Sequence, residues 1–457
     1  MATMIGRAVG EAARGADVAA AALGRVLDPA DVAAAVDGCG ARERRRRKLP
    51  AGLTVLVCVA MNWYAADPLP EVFRRLVLGL RGRWPAPAGR ASKAGLCRAR
   101  QRLGARPLVA LFRRVRRPLG TPATPGAFLF GRRLVAVDAT TLDLPDSDAN
   151  ARAFGRPGVG RGAAAWPQAL LVGLLECATH AALDAGLWPR AADPHAAARR
   201  LLRSVDRTML VLYDAGLHSA ATLGAVRARG AHALGRLPGY VRPEVLRPPA
   251  DGTTLVRLRS WPRRSGPPAR ARLVRSTLDD PARPGHATER RLVTTLLNPR
   301  RAPALDLVCA YHARWELELA VDEVKTHQRP PTPLRSQTPV GVVQEVDGLL
   351  VAHHAVRAVM ADAAGAAGLP PTRLSFSAAV RLIRTALPDL QRARPRDRPR
   401  LDRQLLADLA ADPLPPRADR VNPRAVKRKM SNFRLKRPAD RRPPAPRPFR
   451  DAVVLLK

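Results

Sequence analysis

Cysteine is scarce and scattered: Cys39, Cys58, Cys97, Cys177 and Cys309 are the five in 457 residues, odd in number, far apart and without a C-x-x-C pair. That argues against a disulfide framework or a zinc site and points to a reducing compartment. Long apolar runs are missing too. The longest, Ala51 to Ala66, is interrupted by Asn62 and falls short of the ~20 residues a membrane span needs. The stretch Met1 to Leu27 carries Glu11 and Asp17 in an Ala-rich background, in place of the basic start and apolar run of a secretion signal. The expectation is a soluble, cytoplasmic protein with no membrane partner.

Acidic residues are also few. Asp and Glu total 38 against 78 Lys and Arg, a formal net charge of +40. Such an imbalance calls for a polyanionic partner. Only seven of the 78 are lysine, and the heavy use of Arg, Ala and Pro fits a GC-rich genome as well, so not every guanidinium answers to a ligand. Hydrophobic residues at 46% and charged residues at 25% are ordinary globular values, which argues against a wholly disordered basic protein. At roughly 150 residues per domain the chain holds two or three.

Helical spacing of apolar residues marks Leu53 to Trp63 and Val72 to Leu80, and Ser92 to Arg102 reads as a short Arg-studded helix, either a phosphate contact or a solvated face. A Pro/Gly joint, Pro118 to Gly126, follows. Three short apolar runs then read as strands: Arg133 to Asp138, Pro167 to Cys177 and Thr208 to Asp214. Alternating runs between Pro/Gly clusters make residues 236–299 a β-rich insertion. Helical periodicity resumes at Ala304 and runs on through Thr326, then over Val340 to Ala364, and beyond residue 391 the chain is Arg/Pro-rich, a tail expected to be poorly ordered on its own.

Asp138 and Asp214 each end a run of aliphatic residues, where an uncompensated carboxylate is costly. Hard divalent cations compensate such oxygens, and capping a following turn is the other use of a strand-end Asp. In the segment from Tyr311 to Lys325, a helix at about 100° per residue puts Tyr311, Arg314, Glu318 and Lys325 on one narrow stripe. One acid between two cations and a phenol suits a metal held by Glu318 with phosphate oxygens gripped by Arg314 and Lys325; an exposed Arg314–Glu318 ion pair fits the same spacing. Glu316 and Glu323 are alternative acids that rotate off the stripe. Trp261 offers a face for stacking on an unpaired base.

The spacing Tyr-x2-Arg-x3-Glu-x6-Lys resembles, without a gap, the signature of the insertion-sequence-four family of bacterial DDE transposases. The text around Val137-Asp138-Ala139-Thr140-Thr141 and Leu212-Tyr213-Asp214-Ala215-Gly216 is similar to that family as well. One departure stands out: members commonly carry Arg after the second Asp, where this chain has Ala215. The resemblance implies an α/β chain with a ribonuclease-H-like catalytic domain interrupted by an inserted β-rich domain and preceded by an all-helical N-terminal domain. It divides the chain into a DNA-binding domain at 1–125, catalytic segments at 126–235 and 300–390 flanking the insertion at 236–299, and a basic tail at 391–457. It further implies catalytic, metal-binding Asp138, Asp214 and Glu318 with two Mg²⁺ or Mn²⁺ ions, and DNA or phosphate contacts from Tyr311, Arg314 and Lys325. The partners implied are double-stranded DNA, as transposon ends and target, and a second copy of the chain in a homodimer on paired ends. The activity implied is strand cleavage at terminal inverted repeats followed by transfer of the 3′-OH into target DNA. A metal-dependent endonuclease that does not join, and an inactive DNA-binding relic, are the alternatives.

Overall fold

A computed structural model describes residues 27–45, 47–78, 90–159, 162–259, 268–283, 285–330, 332–394, 396–416, 425–426, 434–435, 437 and 447–456. Trp261, residues 1–26 and most of the basic stretch 417–446 lie outside the described residues. In chain order come helices α1 (Pro29–Asp37), α2 (Ala51–Trp63), α3 (Leu69–Leu78), α4 (Lys93–Leu103) and α5 (Arg106–Val115), strands β1 (Phe128–Leu129) and β2 (Arg132–Asp143), helix α6 (Asp148–Phe154), strands β3 (Gln168–Glu176) and β4 (Ala182–Pro189), and helix α7 (Pro194–Leu201). Strand β5 (Met209–Tyr213), helix α8 (Ala220–Ala228) and strands β6 (His232–Arg236), β7 (Glu244–Ala250), β8 (Thr253–Leu258), β9 (Ala269–Leu278) and β10 (Arg290–Thr294) follow. The chain continues with α9 (Ala304–His312), α10 (Trp315–Asp322), a π-helical turn (Glu323–His327), α11 (Pro339–Ala366), α12 (Phe376–Arg392), α13 (Arg398–Ala410), α14 (Phe449–Ala452) and β11 (Val453–Leu455).

These elements form two compact units. The first gathers residues 1–127, 139–197 and 317–414; the second gathers 128–138, 198–316 and 415–457.

The first unit is built around α11. Apolar residues face every side of this helix, with the successive Leu349, Leu350, Val351 and Ala352 all buried, and α2, nearly every residue of which is buried, shares its core. The two helices approach so closely at Gly348 that a Cβ there would stand 2.5 Å from the Cys58 carbonyl oxygen. Polar ties reinforce the contact. Asn62 Nδ2 donates to the Glu345 carbonyl at 3.2 Å, and the Arg335 guanidinium donates to the Met61 and Asp67 carbonyls at 2.6 and 2.7 Å. Asp28 caps α1 ahead of Pro29, with its side chain accepting from the Ala30 N–H at 2.8 Å. Ser92 caps α4 by accepting from Gly95 N–H at 3.1 Å. On α4, Arg100 turns inward to Ser336 and Gln344, while Lys93 and Arg98 are exposed, so the Arg-studded helix divides its cations between packing and surface.

The second unit holds a mixed sheet in the order β2-β5-β6-β10-β9-β8-β7, with β1 on β2 and β11 on β9. Strands β2, β5 and β6 are parallel and the others antiparallel to their neighbours. The α/β class and the β-rich insertion are therefore as expected. Strands β4, β6 and β7 escape the apolar-run criterion because Asp184, Gly186, Gly235, Pro248 and Pro249 interrupt them; Pro is tolerated in β7 because it is an edge strand. The Arg/Pro-rich end is more structured than composition implies. Leu405 and Leu409 bury the α13 face in the first core, and in the second unit β11 pairs with β9 while the Phe449 ring stacks on His312 at 3.8 Å. Among the described residues no helix is long and apolar enough to cross a membrane.

Burial on α11 pushes the Asp347 carboxyl up to about 7, against the opposing pull of Arg113. Its unfolded value is about 3.9, so between these two pH values the folded chain holds a proton the unfolded chain has lost, and stability declines as pH rises through that window. Asp347→Asn is expected to raise the urea midpoint at pH 8, with the gain shrinking to nothing by about pH 4; equal midpoints at pH 8 would contradict it.

Candidate active site

Leu134 to Val137 on β2 and the whole of β5 are buried aliphatic sequence apart from Tyr213, and both runs end in an acid. The strands are parallel and in register, Arg133 opposite Met209 through Ala136 opposite Leu212, so Asp138 and Asp214 each stand two residues beyond the last pair. Parallel neighbours lie about 4.8 Å apart, so the two half-buried acids stand at matching positions on adjacent strands. Asp214 also caps the turn that follows: its Oδ1 accepts from the Leu217 N–H at 3.1 Å. Ala215 opens that turn.

Behind Asp214 the Tyr213 ring is fully buried, and its hydroxyl lies 3.2 Å from His218 Nδ1. Burial, helped by nearby Tyr311, holds the Tyr213 phenol far above its ordinary value. The ring has room because its partner on β6 is Gly235, where a Cβ would fall 2.0 Å from the ring. Tyr311, at the end of α9, is half-buried; burial raises its phenol, Arg314 pulls it down and the Asp214 charge pushes it up again. The Arg314 guanidinium lies over the Tyr311 ring, 5.8 Å from its centroid. The second unit thus collects Asp138, Asp214, Tyr311 and Arg314.

Glu318 and Lys325 belong to the first unit. The continuous helical stripe expected over 311–325 does not form. Helix α9 closes at Ala313 with short-range bonds, Ala313 N–H to Ala310 O at 3.0 Å and Arg314 N–H to Tyr311 O at 3.1 Å, and α10 begins afresh at Trp315. The chain then widens into the π turn, closed by Gln328 N–H donating to Glu323 O at 2.8 Å. A uniform 100° step therefore cannot be carried across the segment. Lys325 Nζ donates to Thr140 Oγ1 at 3.2 Å, and Thr140 lies two residues after Asp138 on β2.

Glu323 is no surface alternative acid. Its buried carboxylate receives Arg357 Nε at 2.9 Å and lies 3.1 Å from both His353 Nε2 and His180 Nδ1. Burial pushes this carboxyl up, but Arg357 and the two histidines outweigh it and hold it well below the usual range. Sequence reasoning missed Arg357, His180 and His353. The available signal was Arg357 itself, a permanent charge within the apolar run from Val340 to Ala364, which requires a buried partner.

Two carboxylates that each follow a buried aliphatic run, on adjacent parallel strands, offer the hard oxygen donors that Mg²⁺ or Mn²⁺ prefer. Among the described residues no group of three or more His, Cys, Asp or Glu side chains is arranged to hold a metal ion.

Residues 129–353 match the Transposase DDE domain family and residues 17–113 match the Insertion element 4 transposase N-terminal family. The protein is a DDE transposase with a ribonuclease-H-like catalytic domain, an enzyme class whose catalysis is metal-dependent and whose partner is DNA. The chain is 31% identical over 410 residues to the transposase InsG for insertion sequence element IS4 of Escherichia coli (strain K12), covering 89% of this chain and 91% of that protein. The putative transposase InsZ of the same organism is 26% identical over 197 residues, 43% of this chain and 64% of that protein. This chain belongs to the IS4 family of bacterial transposases.

Gly235→Ala is expected to displace the Tyr213 ring, and the strand end bearing Asp214 with it, at a cost of about 1–3 kcal/mol. Chemical denaturation tests this; an unchanged midpoint would show that the ring has other room.

Proposed function

We propose that this transposase cuts DNA at the terminal inverted repeats of its element and joins the freed 3′-OH to target DNA, acting as a homodimer on paired ends in the bacterial cytoplasm. Asp138, Asp214 and Glu318 are the acid triad that holds two Mg²⁺ or Mn²⁺ ions. Bound there, the ions supply Lewis-acid activation of a water and neutralise charge at the leaving 3′ oxygen. The protein's own groups do the rest. Arg314, with its planar fork, suits bidentate contact with a phosphate, and Lys325 acts as a point charge on another. Tyr311 donates a hydrogen bond to the DNA backbone or orients Glu318. The helical domain and the basic tail add sequence-independent phosphate affinity.

The observation that carries the reading is the in-register pairing of β2 and β5, which supports a shared role for the two acids that follow the paired residues. The family's gapless Tyr-x2-Arg-x3-Glu-x6-Lys spacing, from Tyr311 to Lys325, supports the third acid.

Substituting Asp138, Asp214 or Glu318 with Ala is expected to reduce Mg²⁺-dependent cleavage of the DNA flanking the coding region to background, while affinity for that DNA stays within about threefold. Cleavage surviving any of the three substitutions removes that residue from the triad. Strand transfer assayed from a pre-cleaved end separates a transposase from an endonuclease that only hydrolyses, and no nicking by the unsubstituted chain in Mg²⁺ or Mn²⁺ would mark it as an inactive copy.

A further inference from the structure

We propose that the buried cluster of Glu323, Arg357, His180 and His353 is a positioning device that fixes the winding of the helix carrying Glu318 and Lys325. The inference rests on the roles proposed above for those two residues. All six lie in the first unit.

Glu323 is the first residue of the π turn, a conformation that is rare and occurs mostly as single turns within α-helices, frequently at functional sites. Contacts enforce it at both ends here. Glu323 is gripped by Arg357 and His353 from α11, and Gln328, which closes the turn, donates its side-chain amide to the Leu349 carbonyl of the same helix at 3.3 Å. Phe376 of α12 seals the cluster, its ring 5.2 Å from that of His353 and 5.4 Å from the Arg357 guanidinium carbon.

His180 completes the cluster at a conformational cost. It sits in the turn between β3 and β4 with φ at +58°, a left-handed backbone that disfavours any residue with a Cβ, and its buried ring lies 3.1 Å from Glu323 Oε1. Glycine would relax that turn but supply no imidazole.

The active-site groups are coupled to the cluster through short lengths of helix. Glu318 precedes Glu323 by five residues, about 7.5 Å along the axis at 1.5 Å per residue. Lys325 follows Glu323 by two residues inside the π turn, with its ammonium on Thr140. A rotation at Glu323 therefore moves both. Core filling alone does not call for charge, since an apolar group of equal volume serves a core as well as a buried ion network does. What the charged cluster adds is direction, because a bidentate guanidinium fixes a carboxylate in orientation as well as depth.

The test uses the full-length chain with Glu323→Gln, Arg357→Met and the charge-keeping Arg357→Lys, assayed on a duplex of the DNA flanking the coding region. Expected are cooperative urea unfolding, DNA affinity within about threefold of the unsubstituted protein, and single-turnover cleavage at saturating DNA slower by about tenfold or more for Glu323→Gln and Arg357→Met. Arg357→Lys is expected to recover part of that loss, and the MnCl₂ concentration at half-maximal rate to rise in the slow variants. A folded variant that cleaves at the unsubstituted rate overturns the proposal, as does a rate that falls only in step with the folded fraction. Should Glu323→Gln and Arg357→Met fail to fold, His353→Gln and His353→Leu carry the same measurements, with Leu expected to be slower than Gln; collapse of these as well would assign the cluster to stability alone and overturn the proposal. Glu318→Ala run alongside distinguishes the two levels. If it cleaves, the reading of the site fails; if it is inactive while a folded Glu323→Gln cleaves normally, only the positioning role fails.

Discussion

A carboxylate at the end of a buried aliphatic strand has lost part of its water and must regain it from a cation or from donors. Asp214 stands at such an end, after β5, and the parallel, in-register neighbour β2 carries Asp138 midway, just after its own buried run. Parallel pairing needs a crossover connection, and the chain from Ala139 to Thr208 serves as one while also carrying α6, the β3–β4 hairpin and α7. The cost of bringing Asp138 and Asp214 together is thus met by the aliphatic residues behind them, Leu134 to Val137 and Met209 to Leu212, all of them buried.

Much of this was legible in the sequence, because apolar runs that end in Asp and helices with 3.6-residue periodicity report their own burial. Strand β5 and helix α11 are of that kind. The break after Tyr311 was not legible. Nothing between Ala310 and Lys325 is Gly or Pro, and helix propensity runs through the segment unopposed; the π turn at Glu323 is held by long-range contacts with residues 140, 180, 353 and 357. Periodicity reads one helix against an average environment, whereas this segment answers to particular partners far along the chain. Glu323 illustrates the difference, since its neighbours in sequence mark it as one acid among several and its neighbours in space make it the most enclosed of them.

Arginine was equally ambiguous as composition and specific as structure. Arg272 donates to the Ala302 carbonyl at 2.6 Å, Arg291 to the carbonyls of Pro238, Gly239 and Val241, and Arg335 to two carbonyls of the α2 region. These guanidiniums satisfy backbone oxygens that loops would otherwise leave bare. The net charge of +40 is therefore an upper bound on what faces a polyanion: part of it is the internal fastening of a protein short of lysine.

Both compact units are stitched from three separated stretches of chain, and α2 is covered by α11, whose first residue comes 276 positions after the last of α2. At bacterial elongation rates of roughly 5–20 residues per second, the ribosome exposes α2 for on the order of tens of seconds before its cover is made. During that interval the nascent chain presents Val55, Val57 and Val59 to solvent or to a chaperone. Supply of folded enzyme is then governed by completion of each polypeptide, and prematurely terminated products lacking α11 would be cleared by proteolysis in place of accumulating as competent DNA binders.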